Sequence, residues 1–418
     1  MKNNPSKAMF TLTLLCLSLL LWSSSAEDPS AKLKVLYPAE LKNEFNKLDD
    51  ITIAVANFGT VPWGRTVRGT VYLTNPLDAC QILSPIDFKG TANSIEGESP
   101  ILVAGRGNCT FVMKALNAQN AGARALIVVD DQEENENFIL PVDDGHGGAI
   151  HIPVLLINKK TGELIEKYVS GGQQVANANQ QVELSIKFDM PKKYDNIDYE
   201  IWLSSSDGFS FDFIKDLHRY HDILKKKATM TPHYAIWYCP ICELLNFQDT
   251  SNPNCLSGGR YCSPDPDGNG PLTGKDTLLE DLRQICIYNH SAESWWDYHD
   301  NFRRSCLNAE TLENCSKSTM DDIGVDQKKI MDCVNKSFTG PNRDKDDNTI
   351  LREERNLFTQ RGILTWPAVV INSMTYRGNL EPASNIFEAM CGGFTVTPSE
   401  CEQSDPRPDP NNPPKPRK

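Results

Sequence analysis

The chain has 418 residues, and its 55 acidic side chains against 42 basic ones give a formal net charge of -13. Nucleic acid and anionic membrane surfaces both require concentrated Lys and Arg, so neither is expected as a partner; the acidic balance suits cationic ligands and mostly promotes solubility. A chain of this length suggests two or three domains.

Residues 1–26 read as a cleavable leader. Lys2 and Lys7 precede an apolar run from Ala8 to Trp22, and Ser23-Ser24-Ser25-Ala26 supplies the small residues of a signal-peptidase site, with cleavage expected after Ala26. The run is short of the about 20 residues that a bilayer span takes. Later apolar stretches, Ala125–Val129 and Pro153–Ile157, read as buried strands, so no membrane span is expected. Loss of the leader takes the charge from -13 to -15 and removes Cys16 from the 13 cysteines. The remaining even number suggests up to six disulfides in an oxidising compartment. Four sequons, at Asn108, Asn289, Asn314 and Asn335, are glycosylation candidates that fit the same secretory address.

Cysteine density divides the rest. Residues 27–190 hold only Cys80 and Cys109, while residues 239–401 hold ten. The polar segment Pro191–Asn196 is the expected joint, giving domains at 27–190 and 196–395. The Pro-rich tail within 402–418 cannot bury enough apolar surface to fold and is read as disordered.

In chain order, Ile51–Phe58 and Thr66–Leu73 are β-rich, and Ile101–Ala104 is a short strand ending at Gly105-Arg106-Gly107-Asn108-Cys109. Phe111–Ala121 has apolar residues at helical spacing and stops at Gly122. Ala125–Val129 and Ile152–Ile157 are strands, and Lys160–Val169 is a helix. The second half opens with a strand at Glu200–Ser204, a helix at Phe211–Lys226 and a strand at His233–Trp237. This alternation predicts α/β and α+β layers in a multidomain chain.

The turn Arg106-Gly107-Asn108-Cys109-Thr110-Phe111, the helix end Ala121-Gly122-Ala123, the strand Ala125–Asp130 and the later Ile152-Pro153-Val154 together resemble the core of the protease-associated domain. The turn is chemically suited to hold a peptide. Its glycines let backbone approach a ligand, the next helix offers N-terminal N–H groups, and Arg106 can fork onto a carboxylate or carbonyl. Candidate ligand-binding residues are Arg106, Gly107, Asn108, Thr110 and Phe111. The plainer reading is a strand-to-helix connection carrying a disulfide from Cys80 to Cys109, and the two readings stand level for this domain alone.

The second half resembles plant vacuolar sorting receptors at Thr231–Pro240, Gly259–Pro266, Leu282–Cys286, Trp295–Tyr298, Pro367–Asn372 and Tyr376-Arg377-Gly378. Following a protease-associated domain in the right order, these segments extend the resemblance over residues 30–395. It implies a lumenal protein of the Golgi-to-vacuole route that binds peptide sorting determinants on soluble hydrolase precursors. Family members continue into growth-factor-like repeats, a membrane helix and a cytosolic tail. The Pro-rich end here departs from that plan, which opens a further reading as a secreted soluble form or an incomplete chain.

The same segments look like a thioredoxin-type fold with a Cys-rich helical insert. A strand runs into Cys239-Pro240-Ile241-Cys242, and Pro367, the expected cis-proline after Trp366, starts the strand Ala368–Ile371. A C-x-x-C at this place is a redox signature, so the alternative function is a thiol–disulfide oxidoreductase using Cys239 and Cys242; the pair also reads as a structural disulfide. Asp265-Pro266-Asp267-Gly268-Asn269-Gly270, with Asp276 in twelfth place, has calcium-loop spacing. No helix can enter it through Gly258–Pro264, so a turn is the default reading and no cofactor beyond calcium is suggested. The seven histidines include no H-E-x-x-H, and no G-x-S-x-G is present, so hydrolase activity is not expected. His218 and His221 read as surface or core, and Trp295 and Trp296 as packing.

Overall fold

The computed structural model describes residues 31–85, 99–132, 139–170, 181–238, 252–307, 311–363 and 365–403. The expected leader, the pair Cys239 and Cys242, and the tail from 404 lie outside them.

In the first domain, β1 (Ala31–Tyr37), β2 (Ile53–Val55), β3 (Thr66–Leu73), β4 (Ile101–Gly105), β5 (Ala125–Val129), β6 (Val154–Ile157) and β7 (Glu183–Phe188) form one sheet in the order β1-β7-β3-β4-β5-β6-β2. The centre, β3 to β6, is parallel, and the flanking pairs are antiparallel. Helices α1 (Ala39–Phe45), α2 (Phe111–Asn120) and α3 (Lys159–Val169) cover it.

Apolar residues at every position are what a strand buried on both faces requires. In β4 and β5, Leu102, Ala104, Leu126 and Val128 pack with Val112, Ala115 and Ala118 of α2. Their alternates Ile101, Val103, Ile127 and Val129 pack on the other face with Leu41 and Phe45 of α1 and Ile165 and Tyr168 of α3. Each such buried aliphatic side chain contributes about 1.5–3 kcal/mol.

The second domain has a four-stranded sheet, β13-β12-β8-β9, made from β8 (Ile197–Leu203), β9 (Ala228–Tyr234), β12 (Ala368–Ile371) and β13 (Met374–Thr375). Helix α4 (Gly208–Leu224) joins β8 to its parallel neighbour β9, and Asp207 caps its first turn by accepting from the Phe209 and Ser210 N–H groups. The strand expected at His233–Trp237 lies earlier. It ends at Tyr234 because β8 ends at Leu203; Ala235 N–H closes the ladder on Leu203 O, and Trp237 turns away to bridge Cys262.

Between β9 and β12 lies the Cys-rich insert: the hairpin β10 (Cys255–Leu256) and β11 (Tyr261–Cys262), then α5 (Gly274–His290), α6 (Ala292–Ser305), α7 (Leu312–Asp322), α8 (Gln327–Ser337) and α9 (Thr349–Arg361). Disulfides join Cys255 to Cys262, Cys286 to Cys333 and Cys306 to Cys315, and a further one ties Cys391, in α10 (Ser384–Gly392), to Cys401. The pattern with calcium-loop spacing is a turn. Asp265 accepts from the Asp267 and Gly268 N–H groups, while Asp276 closes a capping box with Thr273 at the start of α5. Among the described residues, no helix is long and apolar enough to cross a membrane.

Trp295 and Trp296 are core residues, 0% and 5% exposed. His299 packs on Trp295 and Phe211, with no partner for either ring nitrogen among the described residues, and burial pushes its pKa down to about 3. The unfolded chain therefore takes up this proton first, and stability is lost as pH falls from about 6.5 toward 3, reaching about 2 kcal/mol by pH 5. Asp281 works oppositely. Burial raises it to about 8, so acid down to about 4 stabilises the fold through that group. Denaturation of His299→Phe and wild type at pH 7.5 and 5.0 isolates the first effect. The variant is expected to gain about 2 kcal/mol relative to wild type on acidification; parallel pH profiles would contradict it.

The two domains share one core cluster, which runs through Trp63, Met190, Tyr376 and Phe394. Trp63 lies against the Tyr376 ring at 6.0 Å. Asn379 grips the first domain by backbone pairing. Its N–H donates to Gly59 O at 2.7 Å, its Oδ1 accepts from Gly59 N–H at 2.8 Å, and its Nδ2 donates to Ile150 O at 2.8 Å. Gly59 has φ +79°, and a Cβ there would meet Ile152 O at 2.4 Å, so only glycine fits this clasp.

Candidate functional site

Parallel strands carry their ligand sites beyond their carboxyl ends, where successive loops converge. At that edge the loop after β3 meets the turn after β4 and the segment after β5. Gly105 N–H donates to Leu77 O at 2.8 Å, and Arg106 N–H donates to Val129 O at 2.9 Å. The disulfide Cys80–Cys109 fastens the first loop to the turn. Gly107 has φ +101° and Asn108 φ +67°, so the chain reverses through two left-handed residues before Thr110 starts α2.

The turn is held from beneath by Lys114, which is 1% exposed. Its ammonium donates to Asp78 O and to Gly107 O, both at 2.6 Å, bridging the two loops. Burial pulls its pKa down, and the nearby Asp78 charge partly opposes this. Asn117 Nδ2 donates to Ala79 O at 2.9 Å from the next turn of α2. On the surface, Asn108 Nδ2 donates to Asp78 Oδ2 at 2.9 Å. The Cys80 N–H, and then Asn108, hold the Asp78 carboxyl below its ordinary pKa.

Arg106 is less free than a lone fork. Nη1 donates to Asp130 Oδ1 at 2.7 Å, and Nε faces Asp131 at 3.6 Å. Hydrogen bonding from Gln132, with the Arg106 charge behind it, lowers the Asp131 pKa. Thr110 caps α2 by accepting from Met113 N–H at 3.2 Å, and its hydroxyl is the main cause of a lowered Asp144 pKa. Among the described residues, no acceptor stands opposite the Phe111 and Val112 N–H groups. Leu77 and Met113, 43% and 45% exposed, set apolar surface beside the turn.

All five proposed ligand residues, Arg106, Gly107, Asn108, Thr110 and Phe111, thus lie in one turn and the start of one helix. Lys114, Asp78 and Asp130 are the members that residue-by-residue motif reading passes over. The signal for Lys114 is in the sequence: it sits three residues after Phe111 and four before Ala118, on the apolar stripe of α2, where a lysine must have partners. The sequons Asn289, Asn314 and Asn335 are exposed on helices α5, α7 and α8.

In the second domain the Trp366–Pro367 bond is cis, and Trp237 stacks on Trp366 with centroids 6.3 Å apart. Trp237, past the end of β9, thus lies against the residue before that proline, while the cysteine pair lies outside the described residues. His218 and His221, on one face of α4, stack on Trp296 at 4.5 and 5.1 Å.

The chain thus joins a strand–turn–helix clasp in the first domain to a disulfide-rich α/β second domain. Residues 67–165 match the PA domain family, and residues 197–391 match the vacuolar sorting receptor thioredoxin-like domain. Vacuolar-sorting receptor 1 of Pisum sativum is 34% identical over 403 residues, covering 89% of this chain and 61% of the receptor. Vacuolar-sorting receptor 3 of Arabidopsis thaliana is 34% identical over 382 residues, covering 84% of this chain and 58% of the receptor. The chain therefore spans about three-fifths of the length of the curated relatives it matches. Both domains, in this order, are similar to those of the vacuolar sorting receptors.

Proposed function

We propose that the protein is a cargo-binding protein of the vacuolar sorting route, holding a peptide sorting determinant of a soluble hydrolase precursor along the Arg106–Phe111 turn. Its place is the lumen of the secretory pathway, between Golgi and vacuole. The names of the relatives support this reading over a thiol–disulfide oxidoreductase.

The observation that carries it is the pre-built clasp. A disulfide, a buried ammonium and an Arg–Asp pair fix the turn before any ligand arrives, so little ordering cost remains on binding. Arg106 already faces two carboxylates, Asp130 and Asp131, so its remaining N–H edge favours a neutral peptide carbonyl over a third anion. The open N–H groups of Phe111 and Val112 supply further donors, and Leu77 and Met113 suit apolar side chains. The second domain steadies this arrangement through Asn379, which grips Ile150 next to the segment whose Asp144 meets Thr110.

Binding of immobilised hydrolase propeptides to the purified protein tests the reading. Arg106→Ala is expected to weaken binding by about tenfold or more, the loss of one charge-assisted contact. Equal affinity of variant and wild type would remove the turn from the site.

A further inference from the structure

The sequon Asn108-Cys109-Thr110 lies inside the Arg106–Phe111 turn, and each of its residues helps to shape that turn. Asn108 is exposed at the apex with φ +67°, and its Nδ2 donates to Asp78 Oδ2 at 2.9 Å. Cys109 is bonded to Cys80, 29 residues earlier in the chain. Thr110 caps α2 by accepting from Met113 N–H at 3.2 Å.

The finished turn has room to carry an N-linked glycan on the Asn108 carboxamide nitrogen. A Cβ placed on Gly107 would meet nothing within 4 Å, so the apex borders open space. A substituted Nδ2 also keeps one of its two hydrogens, which is all that the bond to Asp78 uses. The finished turn cannot, however, receive the glycan. Transfer needs an extended sequon whose Thr hydroxyl reaches the Asn carboxamide. Here the left-handed Asn108, the disulfide and the helix cap aim the two groups at separate partners.

We propose that Asn108 carries an N-linked glycan in those chains whose Cys80–Cys109 bond closes late, and that this glycan shuts the turn to peptide. The shutting of the turn rests on the peptide-binding reading, whereas the glycan itself does not. In transfer, Asn108 Nδ2 bonds to the anomeric carbon of a lipid-pyrophosphate-linked oligosaccharide, the carbon–oxygen bond to the pyrophosphate breaks, and the amide proton passes to a base. In closure, the Cys80 and Cys109 thiols form their bond by exchange with an oxidised dithiol, which takes up the two electrons and two protons. Closure first excludes transfer. Transfer first leaves a turn that still closes, with a bulky sugar chain leaving from a point two residues from both Arg106 and Thr110. A peptide laid along the turn meets that chain.

Glycopeptide mass spectrometry of the whole protein, secreted from a eukaryotic host, tests the acceptor. Asn108 is expected to be occupied in part of the wild-type chains and in nearly all chains of Cys80→Ser/Cys109→Ser, which keeps a sequon there. Asn289, whose sequon contains no cysteine, is expected to hold its wild-type occupancy in that variant. In Asn289→Gln/Asn314→Gln/Asn335→Gln, lectin chromatography then separates chains glycosylated at Asn108 from unmodified ones. The glycosylated fraction is expected to bind immobilised hydrolase propeptide about tenfold or more weakly than the unmodified one. Asn108 unmodified in wild type, equal occupancy of Asn108 in the two proteins, a parallel rise at Asn289, or equal affinity of the two fractions would each overturn the proposal. Binding by neither fraction would overturn the peptide reading and with it the shutting of the turn, while the mass measurements decide the acceptor by themselves.

Discussion

Lys114→Met is expected to destabilise the first domain by about 2–4 kcal/mol and to abolish peptide binding at the turn. Methionine nearly matches the length of lysine, so little cavity forms. What is lost is the ammonium that bridges Asp78 O and Gly107 O. Each hydrogen bond to the ammonium is worth about 1.5–3 kcal/mol, Gly107 O keeps only the Cys109 N–H, and relief of the desolvated cation offsets part of the sum. The offset does not win, because both bonds are short and charge-assisted. The loop after β3 then keeps the Cys80–Cys109 link and the bonds from Gly105, Asn108 and Asn117, but loses the ammonium that joins it to Gly107 from beneath, and the turn loosens. Urea denaturation checks the first effect and propeptide titration the second; a variant with wild-type midpoint and affinity would contradict both.

Glu280→Ala is expected to cost about 3–5 kcal/mol in the second domain, the range for breaking a buried ion pair. Glu280 is 0% exposed and accepts from Arg283 Nε at 2.8 Å, Gln284 Nε2 at 2.9 Å and the Tyr298 hydroxyl at 2.7 Å. Its removal strands the Arg283 guanidinium, 2% exposed, in the core. The network reaches β9, since Gln284 also accepts from the Tyr234 hydroxyl and Trp295 Nε1 donates to that same oxygen. Glu280→Leu/Arg283→Leu removes both charges and is expected to recover part of the loss. A single variant as stable as wild type, or a double variant no better than the single, would show that the pair does not act as described.

Much of the first domain is legible in the sequence. The strands at Thr66–Leu73 and Ala125–Val129 fall where the residues predict them, because each is bounded by turn residues and rich in β-branched side chains. β1 and β7 are harder. Their period-two alternation is plain, but it does not reveal that Leu33 lies opposite Ile186, at the other end of the domain sequence. The turn of the site is legible from its glycines and Arg106, whereas the loop after β3 that completes it reads only as a connection. Partners distant in sequence explain the misplaced β9 as well, since its length is set by where β8 ends. The density of later cysteines marks the second half as stapled, yet pairing of Cys286 with Cys333 depends on how α5 packs against α8. Likewise, Asn379 looks like an ordinary loop residue until its contacts with Gly59 and Ile150 show it joining the domains.

The central claim is that cargo peptide lies along the Arg106–Phe111 turn. The most direct measurement is photo-crosslinking of a hydrolase propeptide carrying benzoylphenylalanine, followed by mass-spectrometric mapping of the adducts. Adducts at Leu77, Phe111 and Met113, lost in Arg106→Ala, are the predicted result. Adducts confined to the second domain, or unchanged by that substitution, would contradict it.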